Sequence, residues 1–297
     1  MAAVVADGLT AEYVQLEAKP FTGHWLALCT PTMVVQIGRE DIAVARRLRV
    51  PETRWVLVFP IMVPDSARWN ATAIRPDEAL ICGPGDECFA FDPAGTRFAV
   101  LSFEAGSPVA RRLAGLARDC APSSVAVLQS DEAYSLRRDL LALTSGLPPQ
   151  TLGLGRLVRT AVTHAVPRSR QIESFVGRSQ IVRRVEDFFR HHRGEPLSIA
   201  QLSSVAGVSE RSLRNAFYDV YTTSPKRYLK LLQLHQVRRA LRSVTSEKGT
   251  VTDVATLHGF YELGRFAGEY KALFGEAPSQ TLHKARTRKI AAAIRMA

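Results

Sequence analysis

The sequence predicts an α+β protein of two domains, a β-rich N-terminal half with flanking helices followed by an all-α half carrying two helix-turn-helix units. Three observations predict it. Short apolar runs broken by turn sequences fill the first 105 residues, the positive charge is confined to the second half, and that half repeats itself. At 297 residues, 46% of them hydrophobic and 23% charged, the chain is long enough for two cores and too apolar for wholesale disorder.

The strand-like runs are Met33–Ile37, Trp55–Val63, Trp69–Ile74, Ala79–Cys82, Cys88–Phe91 and Phe98–Phe103. Gly83-Pro-Gly-Asp and Asp92-Pro-Ala-Gly are turn sequences between them. Short strands at this spacing predict a sandwich or a jelly-roll barrel. The aromatics Trp25, Trp55, Phe59, Trp69 and Phe91 either fill such a barrel or line a ligand cavity inside it. Helical patterns follow. Ser107-Pro108 is an N-cap with proline in the first turn, ahead of Leu113 and Leu116. Ser130-Asp-Glu opens a helix with Leu136, Leu140, Leu141 and Leu143, a stripe that packs on its own domain or on a second subunit in a homodimer.

Catalytic and metal signatures are missing from this half. His24 and His164 are the only histidines before residue 168, with no HxH pair, so no metal site is expected. There is no G-x-S-x-G elbow, and Gly153-Leu-Gly155 lacks the rest of a dinucleotide fingerprint. No cofactor is implied. Cys29, Cys82, Cys88 and Cys120 show no CxxC spacing, which argues against a disulfide scaffold. Cys82 and Cys88 are expected to be buried, inert thiols. The longest apolar stretch, Trp55–Val63, is short and holds Pro60, and the first residues lack a basic, then apolar, signal pattern. A cytoplasmic protein without a membrane partner is expected.

Charge divides the chain sharply. Residues 1–167 carry 16 Lys/Arg and 17 Asp/Glu, a net of −1, and residues 168–297 carry 23 and 11, a net of +12. A basic half joined to a neutral one is the footprint of a nucleic-acid-binding module. Gly146-Leu-Pro-Pro and Pro167-Arg-Ser-Arg-Gln-Ile-Glu-Ser read as connecting segments. The predicted boundaries are a domain over 1–165, a linker over 166–178, the helical domain over 179–285 and a basic tail over 286–297.

Within the basic half, the run from Ser198 to Val208 aligns with the run from Thr250 to Phe260 at an offset of 52. One residue is inserted after Gly207 and Gly259, and the offset becomes 53. Leu213 then matches Phe266, Phe217 Tyr270, Tyr221 Phe274, Pro225 Pro278 and Leu229 Leu282. In the first copy Ser198 caps a short helix with Ile199, Leu202 and Val205 facing inward. Gly207 supplies the turn, and Ser209 caps a second helix buried through Leu213, Phe217 and Val220. Its outer face carries Arg211, Ser212, Arg214 and Asn215. Arginine reads guanine bidentately and asparagine reads adenine in the major groove. A helix from Pro225 to about Val244, roughly 28 Å long at 1.5 Å per residue, spaces the units. That suits recognition helices roughly 34 Å apart, in successive major grooves.

The second copy differs chemically, with Gly264 and Gly268 on its outer helix. Base readout is therefore assigned to Arg211, Arg214 and Asn215, with Glu262 accepting from a cytosine amine. Phosphate contacts are assigned to Ser209, Ser212, Lys226, Arg227, Arg265 and Lys271. The first unit is expected to carry most of the specificity and the second to anchor.

The stretch from about Ile181 to Leu282 resembles the DNA-binding domain of the AraC family of bacterial transcription regulators. The resemblance is carried by Val254-Ala-Thr-Leu-His-Gly-Phe, by Phe266-Ala-Gly-Glu-Tyr-Lys-Ala-Leu-Phe-Gly-Glu-Ala-Pro-Ser and by Ser209-Glu-Arg-Ser-Leu-Arg-Asn-Ala-Phe. It places the family's base-contacting positions on Arg211, Arg214 and Asn215, and in the second unit on Leu263, Gly264 and Gly268. The wording is most similar to the subgroup around the ethanolamine-operon regulator. The resemblance implies a cupin-like effector-binding and dimerisation domain ahead of the DNA-binding half. It also implies a sequence-specific regulator with duplex DNA, a small-molecule effector and, for an activator, RNA polymerase as partners. A DNA-repair or alkyl-transfer enzyme sharing the DNA-binding half is the alternative.

Overall fold

The computed structural model describes residues 2–4, 8–118, 125–146, 153–168, 173–243 and 249–296. Cys120, Pro148 and Pro149, and residues 169–172 of the expected linker lie outside them. The N-terminal strands are β1 (Ala2–Val4), β2 (Thr10–Gln15), β3 (His24–Cys29), β4 (Val34–Arg39), β5 (Val44–Arg49), β6 (Arg54–Met62), β7 (Arg68–Trp69), β8 (Glu78–Cys82), β9 (Glu87–Asp92) and β10 (Arg97–Glu104). Then come α1 (Pro108–Arg118), β11 (Val125–Val127), α2 (Ser130–Thr144), α3 (Leu154–His164) and β12 (Val166–Pro167). The basic half holds α4 (Glu173–His191), α5 (Ile199–Ala206), α6 (Glu210–Tyr221), α7 (Pro225–Ser243), α8 (Val251–Leu257), α9 (Leu263–Phe274) and α10 (Pro278–Met296).

The strands form two antiparallel sheets, one of five strands in the order β1-β2-β5-β9-β7 and one of seven in the order β12-β11-β8-β6-β10-β4-β3. The barrel allowed by the sequence does not close. Edge strands of two or three residues, such as β1, β7 and β12, offer too few backbone groups to join one sheet to the other.

Strand alternation builds the rest in layers. On β6, Leu57, Phe59 and Ile61 pack with helices α1 to α3, while Val56 and Val58 face the other sheet. On β9, Cys88 and Ala90 face between the sheets, while Phe89 joins a cluster with Val182, Phe217 and Tyr221 of the basic half. The molecule is thus four layers deep: α1–α3, the seven-stranded sheet, the five-stranded sheet and the first helical unit. The leucine stripe of α2 is consumed inside this stack, because Leu136, Leu140 and Leu143 are buried against their own sheet. Leu141 of the stripe is half-buried beside them, and Tyr134 of the same helix is 66% exposed.

Three further expectations change. Trp69–Ile74 is not a strand beyond Trp69, because Asn70 and Ala71 take φ of 47° and 62° and turn the chain back, bridging Trp69 to Thr72. Cys82 and Cys88 are buried as expected but joined in a disulfide. The turn between β8 and β9 brings their Cα atoms to 6.9 Å. Strands β2, β3 and β5 escape the sequence pattern. β5 reads Val-Ala-Arg-Arg-Leu-Arg, and both central arginines are only 3% exposed.

Candidate nucleic-acid interface

Each helical unit is built by local hydrogen bonds that the sequence specifies. Ser198 and Gln201 form a reciprocal capping box on α5, and Gly207 closes it at φ +69°. Ser209 Oγ accepts the N–H of Ser212 at 3.1 Å and starts α6. Leu202, Ser203 and Ala206 form the buried side of α5, so Val205, expected inward, stands 38% exposed one step off that face. In the second unit, Thr250 and Asp253 form the matching box on α8, and those hydrogen bonds hold the Asp253 carboxyl below its ordinary range. Gly259 closes α8 at φ +80°. A Cβ there would lie 2.8 Å from the carbonyl oxygen of Gly194, so glycine is required. Glu262 precedes α9 without a side-chain cap, which leaves the first N–H groups of that helix free of a capping side chain.

The outer face of α6 presents Arg211, Ser212, Arg214 and Asn215 to solvent, while Leu213, Ala216, Phe217, Val220 and Tyr221 are buried. Arg211 and Asn215 make no side-chain hydrogen bond among the described residues. Arg214 pairs with Glu210 at 2.7 Å, an exposed i,i+4 ion pair that competes weakly with a phosphate or a base. Ser209 and Ser212 are 2.9 Å apart through their hydroxyls, so both are engaged in the cap. Across the molecule, Arg265 pairs with Glu269 at 3.0 Å and lies 3.8 Å from Glu262. Lys271 is exposed near the end of α9.

Four assigned residues, Lys226, Arg227, Glu262 and Arg265, line one groove of about 840 Å³ between the units. Arg227 also reaches back, donating from Nη2 to the carbonyl of Leu16 at 3.3 Å. The aromatics assigned to an effector cavity are not brought together. Trp55 and Phe59 pack with α1–α3, Trp69 lies between the sheets, Phe91 packs on the first helical unit, and Trp25 is 36% exposed on edge strand β3. Trp55 and Phe59, four apart on β6, share one layer, while the other three rings stand on β3, β7 and β9 and fall elsewhere. The void beside Trp69 holds about 10 Å³, less than a ligand needs.

A feature the sequence reading missed holds the first unit against the five-stranded sheet. Glu186 of α4, fully buried, accepts from Arg47 Nη1 at 2.9 Å, from Tyr221 Oη at 2.9 Å, from Arg190 at 3.2 Å and from Tyr228 Oη. Arg47 also reaches Asp187 at 2.9 Å and Glu87 at 2.6 Å. Burial, and then Glu186, push both tyrosine hydroxyls well above their ordinary pKa, so they remain donors. Nearby, Gln15 N–H donates to His235 Nε2 at 3.0 Å. The signal was present in the sequence as paired arginines inside an apolar run.

Two exposed recognition-type helices on one basic scaffold define a DNA-binding protein of the tandem helix-turn-helix class. Residues 202–284 match a family model described as a helix-turn-helix domain. The chain is 34% identical over 161 residues to the "Probable thc operon regulatory protein" of Rhodococcus erythropolis, which covers 49% of this chain and 48% of that protein. It is 32% identical over 127 residues to "XylDLEGF operon transcriptional activator 2" of Pseudomonas putida, covering 43% of this chain and 81% of that protein. A solved structure described as a probable AraC family transcriptional regulator from Rhodopseudomonas palustris is 34% identical. It covers 35% of this chain and 96% of that one, with a TM-score of 0.33. The chain belongs to the AraC family of transcription regulators. It spans about half the length of the Rhodococcus relative, and neither named relative bears the ethanolamine-operon name that the wording suggested.

Proposed function

We propose that this chain is a sequence-specific, effector-responsive transcription regulator that places its two recognition helices in successive major grooves of duplex DNA. The observation that carries the reading is the exposed face of α6, where Arg211, Arg214 and Asn215 stand on a half with net charge +12. Those three residues and Glu262 are the proposed base readers. Ser209, Ser212, Lys226, Arg227, Arg265 and Lys271 are the proposed phosphate contacts, giving affinity that falls steeply with salt. Operation as an activator, in the cytoplasm and alongside RNA polymerase, is part of the same proposal.

The N-terminal half is proposed as a cupin-like sensor with an open sandwich. Its effector is assigned to a pocket of about 450 Å³ at the end of the seven-stranded sheet, between buried Met33 and Phe103 and a rim that includes Arg54, Glu104 and Arg159. A homodimer would use a surface other than the α2 leucines, and sedimentation at micromolar concentration with and without DNA measures it. No catalytic role is assigned. Among the described residues no group of three or more His, Cys, Asp or Glu side chains is placed to hold a metal ion, and no helix is long and apolar enough to cross a membrane. The alkyl-transfer alternative needs a reactive cysteine. Cys82 and Cys88 are bonded to each other, which leaves Cys29 as the free thiol among the described residues.

The test is selection of genomic DNA fragments by the 297-residue chain. Recovery of a shared site with two segments about one helical turn apart is expected. Equal binding of random and selected duplexes would overturn the reading.

A further inference from the structure

Helices α6 and α9 are both 12 residues long and superimpose in sequence at the offset of 53. Val208 and Phe260 still match at 52, so the inserted residue is Tyr261. It is 71% exposed, the most exposed of the large hydrophobic side chains among the described residues. Leu263, the first residue of α9, stands 37% exposed where the first unit has Glu210. Gly264, Ala267 and Gly268, all exposed, stand where the first unit has Arg211, Arg214 and Asn215.

Nothing inside the molecule calls for these glycines. A Cβ built on Gly264 or Gly268 meets nothing within 4 Å, and neither residue takes a positive φ. Glycine weakens a helix relative to alanine, so the smooth face costs the fold without serving its packing. Arg265 and Lys271, both exposed on the same helix, flank that face with the charge that suits a phosphate backbone. A hydrophobic peptide would not explain them. In the major groove the apolar feature on offer is the C5 methyl group of thymine.

We propose that the second unit reads thymine by its C5 methyl group, through Leu263 with Tyr261 beside it, while the small residues of α9 let the helix seat close to the base edges. The two units then differ in readout, which rests on Arg211, Arg214 and Asn215 in the first and adds an apolar contact beside the Glu262 carboxylate in the second. The inference rests on the DNA-binding reading above and fails separately from it.

The probe is the duplex that the 297-residue chain recovers from a random-sequence pool. Each thymidine in both segments is replaced in turn by deoxyuridine, which lacks only the methyl group. At one or two positions of a single segment, affinity is expected to fall about three- to fivefold, the worth of one buried methyl group. Leu263→Ala should abolish that difference, and Leu263→Met should keep it. Enrichment of a site whose second segment binds equally well with thymidine or deoxyuridine would overturn this proposal and leave the DNA-binding reading intact. No enrichment at all would overturn both. A deoxyuridine effect that persists in Leu263→Ala would also refute the assignment to this side chain.

Discussion

The first helix-turn-helix unit shares its core with the N-terminal half, through Val14, Ala45, Ala71 and Phe89, and presents Arg211, Arg214 and Asn215 outward. The second builds its core from α7 to α10 alone, with Phe260, Phe266, Tyr270 and Phe274, and presents Leu263, Gly264, Ala267 and Gly268. Its ties to the N-terminal half are few, among them the bond from Gln15 Nε2 to the carbonyl of Leu273 at 2.5 Å. The same backbone plan thus occurs twice, with different packing partners and different outer faces. The docked unit carries the proposed polar readers and packs directly on β2, β5 and β9. The other unit is linked to that sheet mainly through α7.

The largest expected effect breaks the docking. Arg47→Ala leaves Glu186 buried with fewer partners and should destabilise the chain by about 3–5 kcal/mol, measured by denaturant unfolding. Arg47→Met combined with Glu186→Gln should cost less than Arg47→Ala alone, because no buried charge is then left unpaired. A double variant that costs the sum of the Arg47→Met and Glu186→Gln single variants would show that the two side chains act independently.

Next come the readers. Arg211→Ala should lose about 1–3 kcal/mol of discrimination between selected and scrambled duplexes. Arg265→Ala should weaken both by a similar factor and reduce the salt slope by about one. Greater loss of discrimination from the Arg265 variant would invert the division of labour.

The caps give a smaller contrast. Ser209→Ala should cost about 1 kcal/mol, since it removes the cap of α6. Glu262→Ser should stabilise α9 by supplying the cap that it lacks. Thermal unfolding of both variants checks the pair, and equal destabilisation would contradict the difference in their N-termini.

The gentlest effect is on pH. Burial, helped by Arg238 and Arg239, holds the His235 pKa well below 6.5. The unfolded chain takes up this proton near pH 6.5 and the folded chain does not. His235 thus contributes stability above that pH and loses it progressively as pH falls below. His235→Gln should flatten the acid limb of a stability profile, and an unchanged slope would show that the imidazole does not titrate on unfolding.

Much of this was legible in the residues. The repeat offset, the serine caps, Gly207 and the outer face of α6 depend on neighbours within a few positions, and local chemistry decides them. Strands β4, β6, β8, β9 and β10 were readable because their alternation is apolar. Strand β5 was hidden because Arg46 and Arg47, polar by type, are buried by partners far along the chain: Asp92 at 2.9 Å from one and Glu186 at 2.9 Å from the other. The five rings proposed for an effector cavity fall in several places for the opposite reason, since residue type says neither which layer a ring enters nor, for Trp25, whether it is buried.

By itself, then, the sequence determined the repeated two-unit helical half and where its charge lies, because those are written in spacing and composition, and its motifs carried the family resemblance. The tertiary structure alone decided that the sandwich stays open, that Leu136, Leu140 and Leu143 of α2 face inward and that the first unit is held to the five-stranded sheet. Each depends on pairings between residues far apart in the chain or on which side of a sheet a residue falls. Only the folded geometry specifies those.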